Sequence, residues 1–186
     1  MKTSYDKYYK TQNYFGKPYT ELMEYFKSYQ PKCTVLDLGC GQGRDAIALG
    51  KLGFKVVGVD KSQVGLNQML EKALENKLNV VGINADMYNF SISSEYDIVL
   101  LDSMLHFYKN DINREKNLVN SVLNEIKEGG LLCNCMQKGD KREKIYKSII
   151  KDNIHEFKLE YETYMKYPDY KALYHLHIVR KIGAKK

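Results

Sequence analysis

Glycines and aspartates follow the apolar segments of this sequence at a spacing that suits a ligand-binding loop. The apolar run 33–38 is followed by glycines at 39, 41 and 43. Glycine removes side chains where a backbone must turn sharply and approach a ligand closely. Arg44 stands where the dinucleotide motif G-x-G-x-x-G needs its last glycine, and the sequence lacks the phosphate-loop motif. The loop therefore weighs against a pyrophosphate as its ligand.

Three carboxylates lie at the ends of successive apolar segments, at Asp37, Asp60 and Asp86. In a doubly wound sheet the carboxyl ends of the strands share one crevice, so these side chains are expected to meet there. Asp60 can accept both hydroxyls of a ribose, and Asp86 can accept from an adenine amino group. The alternative is that they cap turns, where aspartate is common. A cofactor with cationic sulfonium and ammonium groups suits such a cleft better than a polyanionic dinucleotide does.

Two further residues could do chemistry beside this crevice. His106 follows the fourth predicted strand on the cleft side, and imidazole can accept a proton near neutral pH. A structural histidine is the equal alternative. Arg44 opens a helix, where a cation is unfavourable for the dipole, so it indicates a ligand carboxylate or an ion pair. An ordinary surface arginine is the alternative.

Cysteine, histidine and tyrosine are interpreted mainly as structural residues. Cys133 and Cys135 alternate in an apolar run and should share one buried strand face, so we predict reduced core thiols and no metal site. His155, His175 and His177 are interpreted as strand surface or core. Seven of the 16 tyrosines precede residue 30, which fits either an aromatic lid or a biased composition. Only Tyr14 is assigned to the cofactor site.

Hydrophobic spacing predicts an α/β fold that would position these residues. Strands alternate with helices as far as the fifth strand, which indicates a parallel, doubly wound sheet. The last two strands have no helix between them and should form an antiparallel hairpin. The predicted strands are 33–38, 54–59, 79–83, 97–101, 130–136, 156–165 and 172–180, and the predicted helices are 19–29, 44–52, 62–76, 111–127 and 141–150.

Composition indicates one globular domain over residues 1–186. The chain has 44% hydrophobic residues and a net charge of +6. Residues 1–140 have 17 basic and 17 acidic groups, so the whole surplus lies in 141–186. This charge distribution excludes a chain built mainly to coat nucleic acid. We interpret the positive surplus first as a solvated surface, ahead of a role in steering an anionic acceptor or in docking RNA. A polar start and the lack of an 18-residue apolar run predict a cytoplasmic protein without a membrane span.

Taken together, these motifs resemble the class I S-adenosylmethionine-dependent methyltransferases. The resemblance rests on 37–43 (DLGCGQG), Val59-Asp60, Ala85-Asp86 and 96–99 (YDIV). Within that family the chain is most similar to the tellurite-resistance-type small-molecule methyltransferases, through 13–15 (NYF), 19–22 (YTEL), Gly43-Arg44, 59–61 (VDK) and a short ending.

The resemblance implies a Rossmann-like sheet of seven strands in the order 3-2-1-4-5-7-6. It also implies that the three glycines pass beneath the methionine part of the cofactor, that Asp37 orders this loop and that Asp60 holds the ribose. Asp86 and the Met87 backbone would hold the adenine, and Asp102 would face both cofactor and acceptor. The predicted catalytic residues are His106 and Asp102, and the predicted cofactor-binding residues are Asp37, Gly39, Cys40, Gly41, Gly43, Arg44, Asp60, Lys61, Asp86, Met87, Asp102 and Tyr14.

The sequence thus predicts transfer of a methyl group from S-adenosylmethionine to a small-molecule acceptor by in-line displacement, with S-adenosylhomocysteine as product. Residues 1–30 would form a lid and helix segment, 31–140 the cofactor-binding core, and 141–186 the terminal helix and hairpin. An RNA or protein methyltransferase and a non-catalytic S-adenosylmethionine-binding protein stay open as alternatives. The fourth strand ends in 102–105 (DSML), which lacks the Asn/Asp-Pro-Pro-aromatic signature of amino-purine methylation.

Overall fold

The computed structural model describes residues 5–153, 155–169 and 171–183, so the ends of the predicted domain at 1–4 and 184–186 lie outside the described residues. Seven strands form one sheet in the order β3-β2-β1-β4-β5-β7-β6, which confirms the predicted fold. The strands are β1 Thr34–Leu38, β2 Lys55–Asp60, β3 Val80–Asn84, β4 Ile98–Asp102, β5 Leu131–Gln137, β6 Phe157–Lys166 and β7 Leu173–Lys181. The helices are α1 Thr20–Ser28, α2 Arg44–Lys51, α3 Gln63–Glu75, α4 Ile112–Glu125 and α5 Asp140–Asp152, with a short 3₁₀ turn at Met87–Asn89.

Parallel pairing brings the ends of five strands to one edge of the sheet. β1 pairs in parallel with β2 and β4, β2 with β3, and β4 with β5. β7 then runs antiparallel to both β5 and β6, as the hairpin prediction requires. Every loop that follows a parallel strand therefore begins at this carboxyl edge, and so does the turn between β6 and β7.

Alternation along the strands divides the core into two layers. Leu36 and Val99 face α4 and α5, whereas Val35 and Leu100 face α1, α2 and α3. Cys133 and Cys135 are fully buried in the α1–α3 layer, on the shared face that their spacing predicted. In the described ranges, no helix combines the length and apolar character needed to cross a bilayer.

Local chemistry explains where the helices begin and end. The hydroxyl of Ser62 accepts a hydrogen bond from the Gly65 N–H at 3.1 Å, which is the N-cap that the sequence indicated. α2 begins after Gly43, whose φ of 76° is the left-handed conformation that glycine adopts without strain. α4 ends at Glu125, two residues earlier than predicted, because Ile126 adopts an extended backbone and is buried in the core.

Candidate functional site

A cavity of about 420 Å³ lies at the carboxyl edge of the sheet. This volume is within the range of small-molecule sites, about 300–1,000 Å³. The wall combines the segment 5–16, the glycine loop with the adjoining start of α2, and the loop after β4. The ends of β1, β2 and β4 and the β6–β7 hairpin complete it. Of the predicted site residues, the wall contains Tyr14, Asp37, Gly39, Cys40, Gly41, Arg44, Asp60, Asp102 and His106.

The glycine loop is held against β2 by its own backbone. The N–H groups of Gly39 and Cys40 donate to the carbonyl oxygen of Val59 at 2.7 and 3.2 Å. Gly39 and Gly41 have φ values of 84° and 53°, a region that other residues occupy only with strain. The Cys40 thiol is buried, and burial raises its pKa well above the ordinary value. This loop therefore lines the cavity with Gly39 and Gly41, which add no side chain, and with Cys40 and Gln42.

Asp60 fastens the glycine loop to the start of α3. One carboxylate oxygen accepts from the Gly41 N–H at 2.9 Å, and the other accepts from the Ser62 N–H at 2.7 Å. Burial raises the pKa of Asp60, and these two backbone hydrogen bonds oppose the shift. Each carboxylate oxygen has a further lone pair, so Asp60 keeps acceptor capacity toward the cavity.

Arg44 is the centre of a buried ion-pair network. Its side chain is 13% exposed, and it pairs with Asp45 at 3.0 Å and with Asp102. It also donates to the hydroxyl of Tyr167 at 3.0 Å. Burial lowers the pKa of Arg44, but Asp45 together with Tyr19, Tyr167 and Cys135 outweighs that effect, so the pKa is raised. Of the interpretations left open by the sequence, the ion pair is the one observed, and the surface arginine is wrong.

Asp37 and Asp45 are two further deeply buried carboxylates of the wall. Asp37 is 3% exposed and Asp45 is 5% exposed. Burial raises the pKa of both, and in Asp37 the neighbouring Asp45 raises it further. The backbone of Ala46, in the first turn of α2, favours the charged form of Asp37 and so opposes this rise in pKa.

Four predicted cofactor residues lie outside the cavity wall. Asp86 pairs with Lys61 at 2.6 Å, and its second oxygen accepts from the Tyr88 N–H at 3.1 Å. The Met87 side chain is buried in the core layer of α4 and α5. Gly43 faces the Met69 side chain at the start of α2. Lys61, Asp86 and Met87 thus follow the ends of β2 and β3, and Gly43 precedes α2, without any of them lining the cavity.

His106 lies in the cavity wall as a half-buried side chain. Its ring stacks on Tyr108 with centroids 5.3 Å apart and an interplanar angle of 15°. Burial lowers the pKa of His106, and the positive charge of Arg142 lowers it further. The imidazole is therefore neutral near pH 7 and can accept a proton.

Sequence reasoning missed most of the aromatic wall. Tyr5, Tyr9 and Phe15 line the cavity from the N-terminal side, and Tyr167 and Tyr174 line it from the hairpin. Tyr9 is 4% exposed. Residues 5–18 contain no helix or strand, so no periodicity marked them, and the only available signal was the density of tyrosines.

Gln42 joins the N-terminal segment to the glycine loop, a role that no sequence pattern indicated. Its side-chain oxygen accepts from the Tyr14 N–H at 2.9 Å, and its nitrogen donates to the Thr11 carbonyl at 2.8 Å. Gln68 adds a third tie by donating to the carbonyl of Tyr9 at 2.7 Å. Residues 5–18 thus cover the cavity, and we call them the lid segment.

Comparisons with known proteins point to methyltransferases. The family model described as "Tellurite resistance protein TehB" matches residues 1–175. The chain is 31% identical over 127 residues to the probable S-adenosyl-L-methionine-dependent methyltransferase TehB of Haemophilus influenzae (strain ATCC 51907 / DSM 11121 / KW20 / Rd), covering 65% of this chain and 42% of the relative. It is 30% identical over 115 residues to the cypemycin N-terminal methyltransferase of a Streptomyces species, covering 61% and 46%. The chain thus spans less than half the length of these curated relatives.

Solved structures share the same fold. The N-methyltransferase NodS of Bradyrhizobium japonicum, in complex with S-adenosyl-L-homocysteine, aligns with a TM-score of 0.74 at 11% identity over 96% of each chain. The magnesium protoporphyrin IX methyltransferase ChlM of Synechocystis, with bound S-adenosylmethionine, aligns with a TM-score of 0.71 at 20% identity over 87% of this chain and 77% of the other. At these identities the likeness shows the fold alone.

Proposed function

We propose, because this chain belongs to the tellurite resistance protein TehB family, that it transfers a methyl group from S-adenosylmethionine to a small-molecule acceptor. The family match covers 175 of the 186 residues and confirms the resemblance that the sequence motifs indicated. The observation that best supports the activity is the cavity itself, which joins the glycine loop, Asp60 and an aromatic wall at the carboxyl edge of the sheet.

The glycine loop fits the cofactor that the family implies. A Cβ added at Gly41 would lie 2.5 Å from the hydroxyl of Tyr9, and one added at Gly39 would collide with the Met104 thioether. Both neighbours line the cavity, so a side chain at either glycine would occupy space where the cofactor is proposed to lie. The wall carboxylates, with Arg44 as their partner in the network, suit a cofactor that has a sulfonium and an ammonium group.

Each proposed cofactor contact corresponds to a group of this chain. Asp60 would accept the ribose hydroxyls with the lone pairs that its backbone hydrogen bonds leave over. Asp86 and the Met87 backbone stay in the proposal as the outer, adenine end, with Lys61 fixing the Asp86 carboxylate. The lid segment, through Tyr14 and the Gln42 ties, would close the site against water.

The reaction needs little covalent help from the protein. When bound, S-adenosylmethionine supplies a methyl group on a sulfonium that is already a good leaving group. The chain then mainly has to hold the acceptor in line, and proximity lowers much of the barrier. His106 can take a proton from an acceptor that arrives protonated. Asp102 is engaged with Arg44, so we assign it a positioning role.

An RNA or protein acceptor and a sensor without turnover are the competing functions. Two basic groups of the terminal region are paired within it, because Lys147 pairs with Glu162 at 2.6 Å and Arg180 pairs with Glu160 at 2.9 Å. The surplus of positive charge in 141–186 persists beyond these pairs, and a solvated face stays its first interpretation. Lys185 and Lys186 belong to the same surplus and lie outside the described residues.

Two measurements on the purified chain test the proposal. Calorimetry should detect binding of S-adenosylmethionine and of S-adenosylhomocysteine. A release assay for S-adenosylhomocysteine, run across small thiols, metalloid oxyanions, phenols, amines and bulk RNA, should give turnover with a small molecule. Turnover with RNA alone would show that the acceptor is RNA and not a small molecule. Binding of S-adenosylmethionine without turnover of any acceptor would favour a sensor. If the chain binds a nicotinamide cofactor and neither of these two ligands, the assignment of S-adenosylmethionine as cofactor is wrong.

A further inference from the structure

The loop between β4 and α4 gives the cavity three side chains from an irregular backbone. Ser103, Met104 and His106 all line the wall. Ser103 and Phe107 have φ values of 59° and 50°, which are uncommon for residues other than glycine. A non-glycine residue in this region persists when surrounding contacts hold it there. The loop therefore needs an anchor.

Glu115, in the first turn of α4, provides that anchor. One of its carboxylate oxygens accepts from the N–H of His106 at 3.0 Å and also from the N–H of Phe107. Two successive N–H groups that converge on one anion form a nest-like arrangement. Glu115 is only 2% exposed, and burial raises its pKa while the two backbone hydrogen bonds oppose that shift.

Without the carboxylate, two backbone donors beneath the cavity would lose their acceptor. A hydrogen bond to a charged group stabilises more than one between neutral groups, and a buried donor left unpaired is costly. Glu115 is absent from the cavity wall, so it reaches an acceptor only through the loop.

We propose that Glu115 is a positioning residue that fixes the acceptor side of the cavity by holding the loop that presents Met104 and His106. This inference rests on the proposed methyl transfer for its effect on rate. Its structural part, the anchoring of the two amides, stands independently of turnover.

Helix α4 contains a matched control. Glu125 lies ten residues after Glu115 on the same helix, and its carboxylate also accepts from a loop N–H, that of Ile92 at 2.8 Å. Neither Glu125 nor Ile92 lines the cavity. Glu115→Gln and Glu125→Gln therefore make the same chemical change, one in contact with the acceptor-side loop and one away from it.

The first test measures anchoring in the full chain by amide hydrogen exchange. We expect Glu115→Gln to speed exchange at the amides of His106 and Phe107 by about tenfold or more, and Glu115→Ala to speed it further. Glu125→Gln should leave both amides unchanged and speed the amide of Ile92. Unchanged exchange at residues 106 and 107 in both Glu115 variants would overturn the proposal, whether or not the chain turns over an acceptor.

The second test separates positioning from general stability. With an acceptor found in the release assay, Glu115→Gln should lower kcat/KM by about tenfold while the affinity for S-adenosylhomocysteine stays within about twofold. Glu125→Gln, at an exposed position, should keep kcat/KM within about twofold. Equal losses of kcat/KM in the two variants would reduce Glu115 to an ordinary structural residue. If the wild-type chain turns over no acceptor, the proposed function fails, and the exchange test still decides the anchoring.

Discussion

Two buried polar regions of this molecule differ in how their side chains are partnered. In the cavity wall, Arg44 and its carboxylates Asp45 and Asp102 satisfy one another. On the other face of the sheet, beneath α5, lies a second group that we call the α5 polar layer. It consists of the buried Asn134, Glu143, Tyr146, His175 and His177 and of Glu162 at its exposed end. Here several buried atoms have no hydrogen-bond partner within the described residues: both amide atoms of Asn134, the Tyr146 hydroxyl and the Nδ1 atoms of His175 and His177.

The α5 polar layer follows from strand register. Asn134 of β5 lies opposite His177 of β7, which lies opposite Glu162 of β6, so one polar row crosses three strands. His175 Nε2 is 2.7 Å from the Glu162 carboxylate, which also accepts from Lys147 at 2.6 Å. The row is therefore satisfied at its solvent end and unsatisfied toward β5.

This difference predicts that removing a polar side chain changes the free energy of unfolding in opposite directions in the two regions. In the network around Arg44, each deletion leaves a buried charge without its partner, which costs several kcal/mol. In the unsatisfied part of the α5 polar layer, a deletion strands no partner and removes a group whose burial was already unfavourable. Substitutions in the two regions therefore test the comparison directly.

Arg44→Met should have the largest effect, a loss of about 3–5 kcal/mol in the free energy of unfolding. The side chains of Asp45 and Asp102 are only 6% and 3% exposed, so both charges would remain buried without their cation. Urea denaturation measures the change. Arg114→Met is the control, because Arg114 pairs with Asp111 while 51% exposed and should change stability by less than about 1 kcal/mol. A loss below about 1 kcal/mol for Arg44→Met would remove the contrast between the two regions.

Asp60→Ala should have the second largest effect and tests whether the cavity wall binds the cofactor. We expect the affinity for S-adenosylhomocysteine, measured by calorimetry, to fall by about 10–100-fold through loss of charged hydrogen bonds. Asp97→Ala is a matched control at the opposite edge of the sheet, since Asp97 also accepts a backbone N–H, from Thr34 at 2.8 Å. Unchanged affinity in Asp60→Ala, with the fold retained, would refute the ribose role.

The features that the sequence predicted are those that depend on residues close together in the chain. Strand and helix periodicity, the glycines after β1 and the Ser62 cap depend on neighbouring residues, and the α/β class with its terminal hairpin followed from them. The strand order came from the family resemblance. The partners of Arg44 could not be predicted this way, because Asp102, Phe15 and Tyr167 are separated from it by 58, 29 and 123 residues. The same holds for the α5 polar layer, since alternation places His175 and His177 on one face without indicating that Asn134 lies beside them.

His177 makes the α5 polar layer sensitive to acid. Burial lowers the pKa of His177 to about 4, and His175 and Lys147 add to the shift against the opposing charge of Glu162. The unfolded chain protonates this histidine near 6.5. Between these values the unfolded state binds more protons, so stability falls as the pH falls, by about 1.4 kcal/mol per pH unit.

His177→Leu should remove this part of the pH dependence. From about pH 7 to about pH 5, wild-type protein should lose about 2 kcal/mol more than the variant in urea denaturation. The other groups of the layer are present in both proteins, so their contributions largely cancel in the difference. His155→Leu, at an exposed position outside the layer, should keep the wild-type dependence. Parallel pH profiles for wild type and His177→Leu would show that His177 is protonated as readily in the folded state as in the unfolded state.

Asn134→Leu should have the smallest effect and the opposite sign to Arg44→Met. Asn134 is fully buried between Leu101 and His177, and neither of its amide atoms has a partner among the described residues. Leucine adds apolar contact with Leu101 and strands no donor or acceptor, so stability should stay equal or rise by about 1 kcal/mol. Urea denaturation near pH 7 measures this, with Asn134→Asp as a counterpart that buries a charge and should destabilise. If Asn134→Leu instead loses more than about 1 kcal/mol, the amide is hydrogen-bonded in solution. The polar groups of both regions would then be partnered, as they are in the cavity wall.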